Sequence, residues 1–436
     1  MREYRMTRIG LTLGVALLVL QGCGDREEIL LGERLDLREG EGAVEVDRAV
    51  PLSLPAAVAT TEWTHKAYAA DHDIPHVALA PTPSLRFAAS IGAAEDRRHR
   101  IVADPVVGGG RIFTVDSRAR VMAHALAGEP LWSASLVPAG EPEGGATGTG
   151  LAVSDGTLYV STGYGELLAL DATSGQRRWV QDLGAAASGA PTVSGGTVYV
   201  VGRNATGWAI DAATGRVQWT ETGTPSTTGV SGGAAPAVSD GLVVFPYASR
   251  ELRGVLSGGT SRWTTTVAGS RVGKVYAGIS DISGDPVIDG DTIYAGSPSG
   301  RINAFSLVSG QRLWTAEDGA MSPVVVAGGS VFAVSDQNEL IRLDASTGQR
   351  IWGTALPLFE RNIIGRRKAV FNHYGPVLAG GRLWVASSDS RLRAFDPTSG
   401  TQVAEVAMPS GATSNPVVAG QTLYVVSEDG QLLAFR

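Results

Sequence analysis

Few residues in this chain have the types and spacing that catalysis or metal binding requires. Residues 229–233 fit the Gly-x-Ser-x-Gly pattern of hydrolase nucleophiles, with Ser231 at its centre. That nucleophile needs a strand-to-helix turn, and no helical pattern follows it, so a glycine-rich loop is the better interpretation. His72 and His76 are four residues apart, but Pro75 breaks any helix that would align them. The sequence therefore predicts neither a serine hydrolase nor a histidine metal site.

Four aspartates lie close together in the sequence, namely Asp281, Asp285, Asp289 and Asp291. A calcium ion would need several such oxygens to converge on one point. Alternate positions that flank a strand need not converge, so we interpret these side chains as solvated loop carboxylates.

Composition narrows the classes of protein to consider. The chain has 436 residues, a formal net charge of −7 and 43% hydrophobic residues. The acidic balance argues against nucleic acid as the main partner, because phosphate binding needs a basic surface. The single cysteine, Cys23, excludes an intramolecular disulfide and a cysteine-based metal site. The 57 glycines suit short strands joined by tight turns, in which glycine supplies positive φ.

Residues 1–22 have the features of a secretory signal peptide. Three arginines precede an apolar stretch, Leu11–Leu20, which is too short to span a bilayer as a helix. The segment ends in Leu20-Gln-Gly-Cys23, which resembles the lipobox of bacterial lipoproteins. The resemblance implies lipidation of Cys23 by several acyl chains, and Gly24 directly after it favours the outer membrane. The alternative is an ordinary cleaved signal peptide with an incidental cysteine.

Residues 23–83 are expected to form a lipid-anchored, mostly extended tether with a few anchoring contacts. The stretch from Asp25 to Arg48 carries nine acidic and four basic residues, and five prolines follow it before residue 84. Such a composition is typical of a spacer between a membrane and a folded body. A partner-binding tail is the alternative.

From about residue 84 onward the chain repeats one pattern eight times. The repeat is defined by an apolar opening run, usually after a proline, and by a following turn of Gly-Gly, Asp-Gly or Gly-Asp type. Its mean period of about 44 residues lies within the range of propeller blades. The repeats begin at Pro105, Leu151, Pro191, Pro236, Pro286, Pro323, Pro376 and Pro416.

Each repeat is consistent with four antiparallel strands. The turn pairs close a hairpin between the first two strands. The third strand ends in an Asp-x-x-Ser/Thr-Gly turn, as at Asp171–Gly175, in which aspartate caps the turn and glycine takes positive φ. Four such strands make one blade, so we predict an all-β, eight-bladed β-propeller over residues 84–436. In six repeats the fourth strand carries a tryptophan: Trp132, Trp179, Trp219, Trp263, Trp314 and Trp352.

The last repeat stops at Arg436, before its tryptophan strand. Residues 84–91 directly precede the first repeat and resemble the missing strand. We therefore predict that they pair with the C-terminal strands and close the ring, which leaves no open ring edge. Seven blades is the alternative count if the weak fourth repeat, residues 236–263, is not a separate sheet.

A basic cluster with aromatic neighbours lies in the longest insertion between repeats. One interpretation is a solvated loop, and the other is a contact for an acidic partner or a lipid headgroup. The sequence leaves both interpretations open. The cluster contains Arg361, Arg366, Arg367, Lys368, Phe371, His373 and Tyr374.

The pattern Ala-x-Asp-x-x-Ser/Thr-Gly-x-x-x-Trp, seen at Ala169–Trp179 and Ala209–Trp219, resembles the signature of the PQQ-type propeller superfamily. With the lipobox and the acidic tether, the chain resembles the BamB family, the propeller lipoproteins of the outer-membrane β-barrel assembly machinery. The resemblance implies a non-catalytic scaffold on the periplasmic face of the outer membrane. Its implied partners are the central barrel subunit and, as a further candidate, unfolded barrel precursors.

In that family, loops between neighbouring blades contact the barrel subunit. Residues 228–232 correspond to a Leu-x-Leu-Arg-Gly pattern, from which the arginine is absent here. Residues 280–283 correspond to a Ser-Asp-x-Asp pattern, of which one aspartate is kept and Ser283 replaces the other. Arg271 and Lys274 nearby are candidates to supply the missing basic contact. The partner-binding residues implied by the resemblance are Thr228, Val230, Ser231, Arg271, Lys274, Asp281 and Ser283.

The same superfamily includes quinoprotein dehydrogenases, which bind PQQ and calcium at the propeller axis beside a disulfide of adjacent cysteines. This chain has only one cysteine and no long inserted cap. We therefore expect no enzyme activity, no cofactor and no metal. The alternatives are a PQQ-dependent periplasmic dehydrogenase and a polysaccharide-binding propeller.

Overall fold

The computed structural model describes residues 49–227, 229, 232–267, 269, 281–361 and 369–436. Within these ranges 32 strands form eight four-stranded antiparallel sheets, arranged as the blades of a ring. The predicted eight-bladed β-propeller is confirmed, and the weak fourth repeat forms a sheet of its own. None of the described segments forms a helix that could cross a membrane.

The first four blades follow each other along the chain after strand β1, Leu85–Ser90. Blade 1 contains β2 Val106–Gly108, β3 Arg111–Val115, β4 Arg120–Ala125 and β5 Pro130–Ser135. Blade 2 contains β6 Gly148–Ser154, β7 Thr157–Thr162, β8 Glu166–Asp171 and β9 Arg177–Asp182. Blade 3 contains β10 Thr192–Ser194, β11 Thr197–Val201, β12 Thr206–Asp211 and β13 Val217–Thr222. Blade 4 contains β14 Ala237–Ser239, β15 Leu242–Pro246, β16 Glu251–Leu256 and β17 Ser261–Thr266.

The remaining blades continue in the same order. Blade 5 contains β18 Val287–Asp289, β19 Thr292–Ser297, β20 Arg301–Ser306 and β21 Arg312–Ala316. Blade 6 contains β22 Val325–Ala327, β23 Ser330–Val334, β24 Glu339–Asp344 and β25 Arg350–Ala355. Blade 7 contains β26 His373–Ala379, β27 Arg382–Ser387, β28 Arg391–Phe395 and β29 Gln402–Ala407. Blade 8 contains β30 Val417–Ala419, β31 Thr422–Ser427 and β32 Gln431–Phe435, and β1 completes it.

Strand β1 closes the ring, as predicted. It runs antiparallel to β32, from Leu85 opposite Phe435 to Ser90 opposite Gln431. Backbone hydrogen bonds of 2.9 and 3.0 Å between Ser84 and Arg436 extend this pairing to the end of the chain. Both ends of the repeat region are therefore held in one blade.

In blades 1 to 5 a tryptophan hydrogen-bonds the blade to the next one. The indole Nε1 of Trp179 donates to the carbonyl of Ala212, at 3.0 Å, in the third-to-fourth-strand turn of the following blade. Gly215 in that turn lies against the ring, where a β-carbon would come within 2.7 Å of Trp179. This contact explains why the repeat pairs a turn glycine with a tryptophan. The same indole hydrogen bond links Trp132 to Ala172, Trp219 to Ser257, Trp263 to Leu307 and Trp314 to Ala345.

The strand order gives the disc two different faces. The turns between first and second strands and between third and fourth strands lie on one side, which we call the turn face. The turns between second and third strands and the connections between blades lie on the other side, which we call the loop face. First strands of neighbouring blades contact each other, so these strands surround the axis.

Residues 49–83, which we call the strap, run across the turn face. They make far more contacts than the few expected of a tether: Trp63 and Val77 are 1% and 0% exposed. Gly380 and Gly420, in turns between first and second strands, donate backbone hydrogen bonds to strap carbonyls. Hydrogen bonds reach every blade, in order from blade 1: Trp63–Val107, Thr64–Val153, His65–Val193, Ala70–Val238, Asp71–Ile288, Pro51–Arg342, Val77–Leu378 and Thr60–Gly420.

Candidate functional site

A cavity of about 510 Å³ opens at the axis on the loop face. The connections that lead into blades 1 and 4 to 8 form most of its wall, and the turns at Pro298 and Val334–Asn338 complete it. The strap closes its floor through Lys66. A separate void of about 10 Å³ lies on the strap side of this floor. We call the cavity of about 510 Å³ the axial pocket.

Lys66 fixes the floor of the axial pocket through three interactions. Its Nζ lies 3.0 Å from Asp285 Oδ1 and donates to the carbonyls of Gly233, at 3.2 Å, and Gly232, at 3.4 Å. The side chains of Lys66 and Asp285 are 9% and 0% exposed. Burial by itself would lower the pKa of Lys66, but the carboxylates of Asp285 and Asp104 outweigh it and raise that pKa. The ammonium therefore stays charged at the axis.

Asp104 is the second carboxylate at this depth. It accepts hydrogen bonds from the backbone N and the side-chain Nδ2 of Asn415, at 2.8 and 2.7 Å. Burial raises the pKa of Asp104 to about 6, although Lys66 and Asn415 act in the opposite direction. Asp104 lies in the connection into blade 1 and Asn415 in the connection into blade 8, so this contact also joins the first and last repeats.

The two predicted partner-binding residues that the structure describes lie on the loop face. Asp281 is 7% exposed and accepts a hydrogen bond from the backbone N of Ile282 at 2.8 Å. A β-carbon on Gly229 would lie 3.5 Å from Asp281 Oδ2, so the two predicted interblade loops adjoin each other. Ser283 lines the axial pocket and donates to the carbonyl of Ala320 at 2.6 Å. The other predicted residues lie outside the described residues: Cys23, Thr228, Val230, Ser231, Arg271 and Lys274.

The four aspartates are divided between the two faces, because β18 lies between the two pairs. Asp289 and Asp291 are exposed at a turn on the turn face, as expected of solvated carboxylates. Asp281 and Asp285 are buried, so that interpretation was wrong for them. The partner of Asp285 is Lys66, which is 219 residues away in the sequence and could not be inferred from the local pattern.

The two strap histidines have separate structural contacts. His72 Nδ1 lies 2.9 Å from the carbonyl of Pro286 in blade 5. His76 Nε2 accepts from the backbone N of Gly381 in blade 7, at 2.8 Å. Among the described residues no group of three or more His, Cys, Asp or Glu side chains is arranged to hold a metal ion.

The residues of the basic cluster also lie in different environments. Arg361 is exposed, and residues 366–368 lie outside the described residues. Phe371 lines the axial pocket. His373 is buried in β26, with hydrogen bonds to Ser387 and to the carbonyl of Pro357, and burial lowers its pKa. Of the aromatic residues expected beside the basic side chains, His373 therefore has a structural role and Phe371 faces the axial pocket.

Sequence reasoning missed Lys66 and Asp104. Lys66 was assigned to a tether, and Asp104 directly precedes a strand-opening proline. One signal was available: residues 63–68 read Trp-Thr-His-Lys-Ala-Tyr, which is too rich in aromatic and apolar side chains for a solvated spacer.

Comparison with known proteins agrees with the fold and the repeat signature. The family model described as outer membrane protein assembly factor BamB matches residues 117–354 and 364–436. The chain belongs to this family. BamB from Escherichia coli K12 is 30% identical over 341 residues, which cover 76% of this chain and 83% of the relative. BamB from Salmonella typhimurium is 29% identical over 344 residues, with the same coverage.

Solved structures show the same fold. The crystal structure of BamB from Moraxella catarrhalis has a TM-score of 0.67 at 19% identity and covers 81% of this chain and 100% of that chain. Quinohemoprotein alcohol dehydrogenase from Comamonas testosteroni has a TM-score of 0.65 at 14% identity and covers 87% and 81%. The second likeness concerns the propeller alone. The named sequence relatives are outer membrane protein assembly factors.

Proposed function

We propose that this BamB-family chain is a non-catalytic scaffold lipoprotein of the outer-membrane β-barrel assembly complex. Cys23 anchors it at the periplasmic face of the outer membrane, and the interblade loops of the loop face bind the central barrel subunit. Unfolded barrel precursors are a further partner. The named relatives support the assembly role, and the lipobox supports the anchor.

The main support for this proposal is that one face of the propeller is covered by the chain itself and the other is not. The strap covers the turn face and hydrogen-bonds to all eight blades, so the chain itself occupies that side. The loop face is the side on which connections between blades converge around a concave centre. Loops held by a rigid scaffold are the usual carriers of binding function.

The proposed contact on this face is built from two neighbouring loops. Residues 228–231 follow blade 3, and Asp281 and Ser283 precede blade 5; Gly229 and Asp281 bring the two loops together. Asp281 is held by a hydrogen bond within its own loop, which fixes the direction of its carboxylate. The negative charge of Asp281 at the junction of the two loops favours a basic group of the partner at this position.

An affinity pull-down from detergent-solubilised envelopes tests the proposal. The full chain is expected to recover the central barrel subunit, and Asp281→Lys to reduce that recovery by about tenfold or more. Asp291→Lys is the matched control, because it makes the same charge reversal at an exposed aspartate on the turn face. Thermal unfolding of each variant shows whether a loss of binding reflects a loss of folding.

The outcomes of the pull-down distinguish an error in the proposed function from an error in the assigned residues. Failure of the unaltered chain to recover the barrel subunit contradicts the scaffold role. Normal recovery by a folded Asp281→Lys variant contradicts the assignment of this loop. Because Asp281 is buried, Ser283→Arg provides a second variant at a partly buried position of the same loop.

A further inference from the structure

The rim of the axial pocket is apolar and unusually accessible. Met321 and Val370 are 47% and 46% exposed, and both line the pocket beside Phe371. They come from two consecutive connections, which lead into blades 6 and 7. Apolar side chains left exposed around a cavity are typical of binding sites, and methionine adapts to differently shaped partners.

Among the described residues, carboxylates outnumber basic groups at the floor of the axial pocket. Asp285 and Asp104 both act on the charge of Lys66, so two carboxylates share one ammonium. That ammonium already uses its three donors on Asp285, Gly233 and Gly232. Asp104 forms no ion pair among the described residues, and Asp285 Oδ2 has no hydrogen-bond partner there.

We propose that the axial pocket binds a basic side chain, arginine or lysine, whose apolar neighbours in an extended polypeptide segment pack on Met321, Val370 and Phe371. The charged head is held near Asp104, and the apolar stem lies along the wall. This inference rests on the proposed function, since it names a second contact on the loop face for a protein partner.

Size and charge both favour this occupant. A cavity of about 510 Å³ lies within the usual range of ligand sites and exceeds what one side chain fills, which leaves room for its neighbours. A phosphate or an anionic lipid headgroup would meet the carboxylate of Asp104 and be repelled. An uncharged apolar segment would desolvate that carboxylate further without supplying a counter-ion, since Asn415 is its only hydrogen-bond partner among the described residues and is neutral, and this desolvation is costly.

Calorimetric titration of the full chain with short peptides tests the inference. The probe is the acetylated and amidated peptide Ala-Leu-Arg-Phe-Ala. Its control carries citrulline in place of arginine, which keeps the shape of the side chain and removes its charge. We expect the arginine peptide to bind about tenfold more tightly than the citrulline peptide, because hydrogen bonds to charged groups contribute more than neutral ones.

Variants locate the binding site. Asp104→Asn is expected to abolish the preference for arginine over citrulline. Met321→Lys is expected to weaken binding of the arginine peptide by about tenfold or more. Met321 is 47% exposed, so the substitution should leave the stability of the fold nearly unchanged. Val308→Lys is the matched control, because Val308 is 70% exposed at a third-to-fourth-strand turn on the turn face.

The inference is overturned by equal binding of the two peptides, or by no binding of either. It is also overturned if Val308→Lys weakens binding as much as Met321→Lys does. The pull-down of the barrel subunit is scored separately. Recovery of that subunit without peptide binding refutes the axial-pocket site alone, whereas peptide binding without recovery refutes the proposed scaffold role alone.

Discussion

Replacing Lys66 with methionine tests whether charge at the axis holds the strap in place. Methionine keeps most of the apolar stem and removes the ammonium, which leaves the fully buried Asp285 carboxylate without its cation. Removing one partner of a buried ion pair typically costs about 3–5 kcal/mol of unfolding free energy. By comparison, breaking the pair of Arg178 and Asp171, with side chains 43% and 31% exposed, should cost far less, because water screens an exposed ion pair.

A double-mutant cycle isolates the contribution of the pair. Asp285→Asn removes the carboxylate, and the double variant Lys66→Met with Asp285→Asn removes both charges. We expect the double variant to be less destabilised than the sum of the single variants, with a coupling of about 1–3 kcal/mol. The folded pKa of Lys66 is raised above its unfolded value, so its contribution is complete below about pH 10 and is lost only above that value.

Guanidinium unfolding followed by tryptophan fluorescence measures these free energies, and Trp63 reports from within the strap. Measurements at pH 7 and pH 8 should give the same coupling. Additive effects of the two substitutions would refute the reasoning, because they would mean that Lys66 and Asp285 do not stabilise each other. If Lys66→Met lost less than about 1 kcal/mol of unfolding free energy, the pair of Lys66 and Asp285 would be as hydrated as an ion pair on the surface.

Two further predictions follow from the interblade contacts and the Asp104 carboxyl group. Gly215→Ala should lower the free energy of unfolding by about 2–3 kcal/mol more than Gly241→Ala does. Both glycines have φ above +70°, but only Gly215 packs on Trp179. Equal losses of unfolding free energy in chemical denaturation would contradict this. Burial raises the pKa of Asp104 from 3.8 to about 6, so the folded state binds more protons than the unfolded state between these values. This group therefore lowers the free energy of unfolding by about 2 kcal/mol as pH rises from 4 to 6. Asp104→Asn should remove that part of the pH dependence, and an unchanged profile of unfolding free energy against pH would count against the burial argument.

Much of the propeller could be predicted because each blade is built from local patterns. A turn such as Asp171–Gly175 and the tryptophan at 179 lie within a dozen residues of each other, and their spacing identifies one strand pair. The strand at residues 85–90 was also predictable, because it supplies the strand that the last repeat lacks. The strap was harder to recognise, since its partners are spread over all eight blades and its own sequence has no strand period.

The residues of the candidate site could also be predicted only in part from the sequence. Family resemblance pointed to Asp281 and Ser283, and the structure places both on the loop face. It could not indicate that Asp281 is buried, because burial depends on loops from other blades. Lys66 and Asp104 belong to the site only through ring closure, which no local pattern records.

The sequence by itself determined the repeat and indicated the closing strand, because short-range turn and strand preferences act within each repeat. It favoured eight blades over seven, and the separate sheet of the fourth repeat decided that count. Only the tertiary structure decided which carboxylates are solvated and where the axis is closed. Lys66 meets Asp285 across 219 residues, and Asp104 meets Asn415 across 311. The charge and pKa of such groups depend on desolvation and on distant neighbours, and both are set only when the ring is complete.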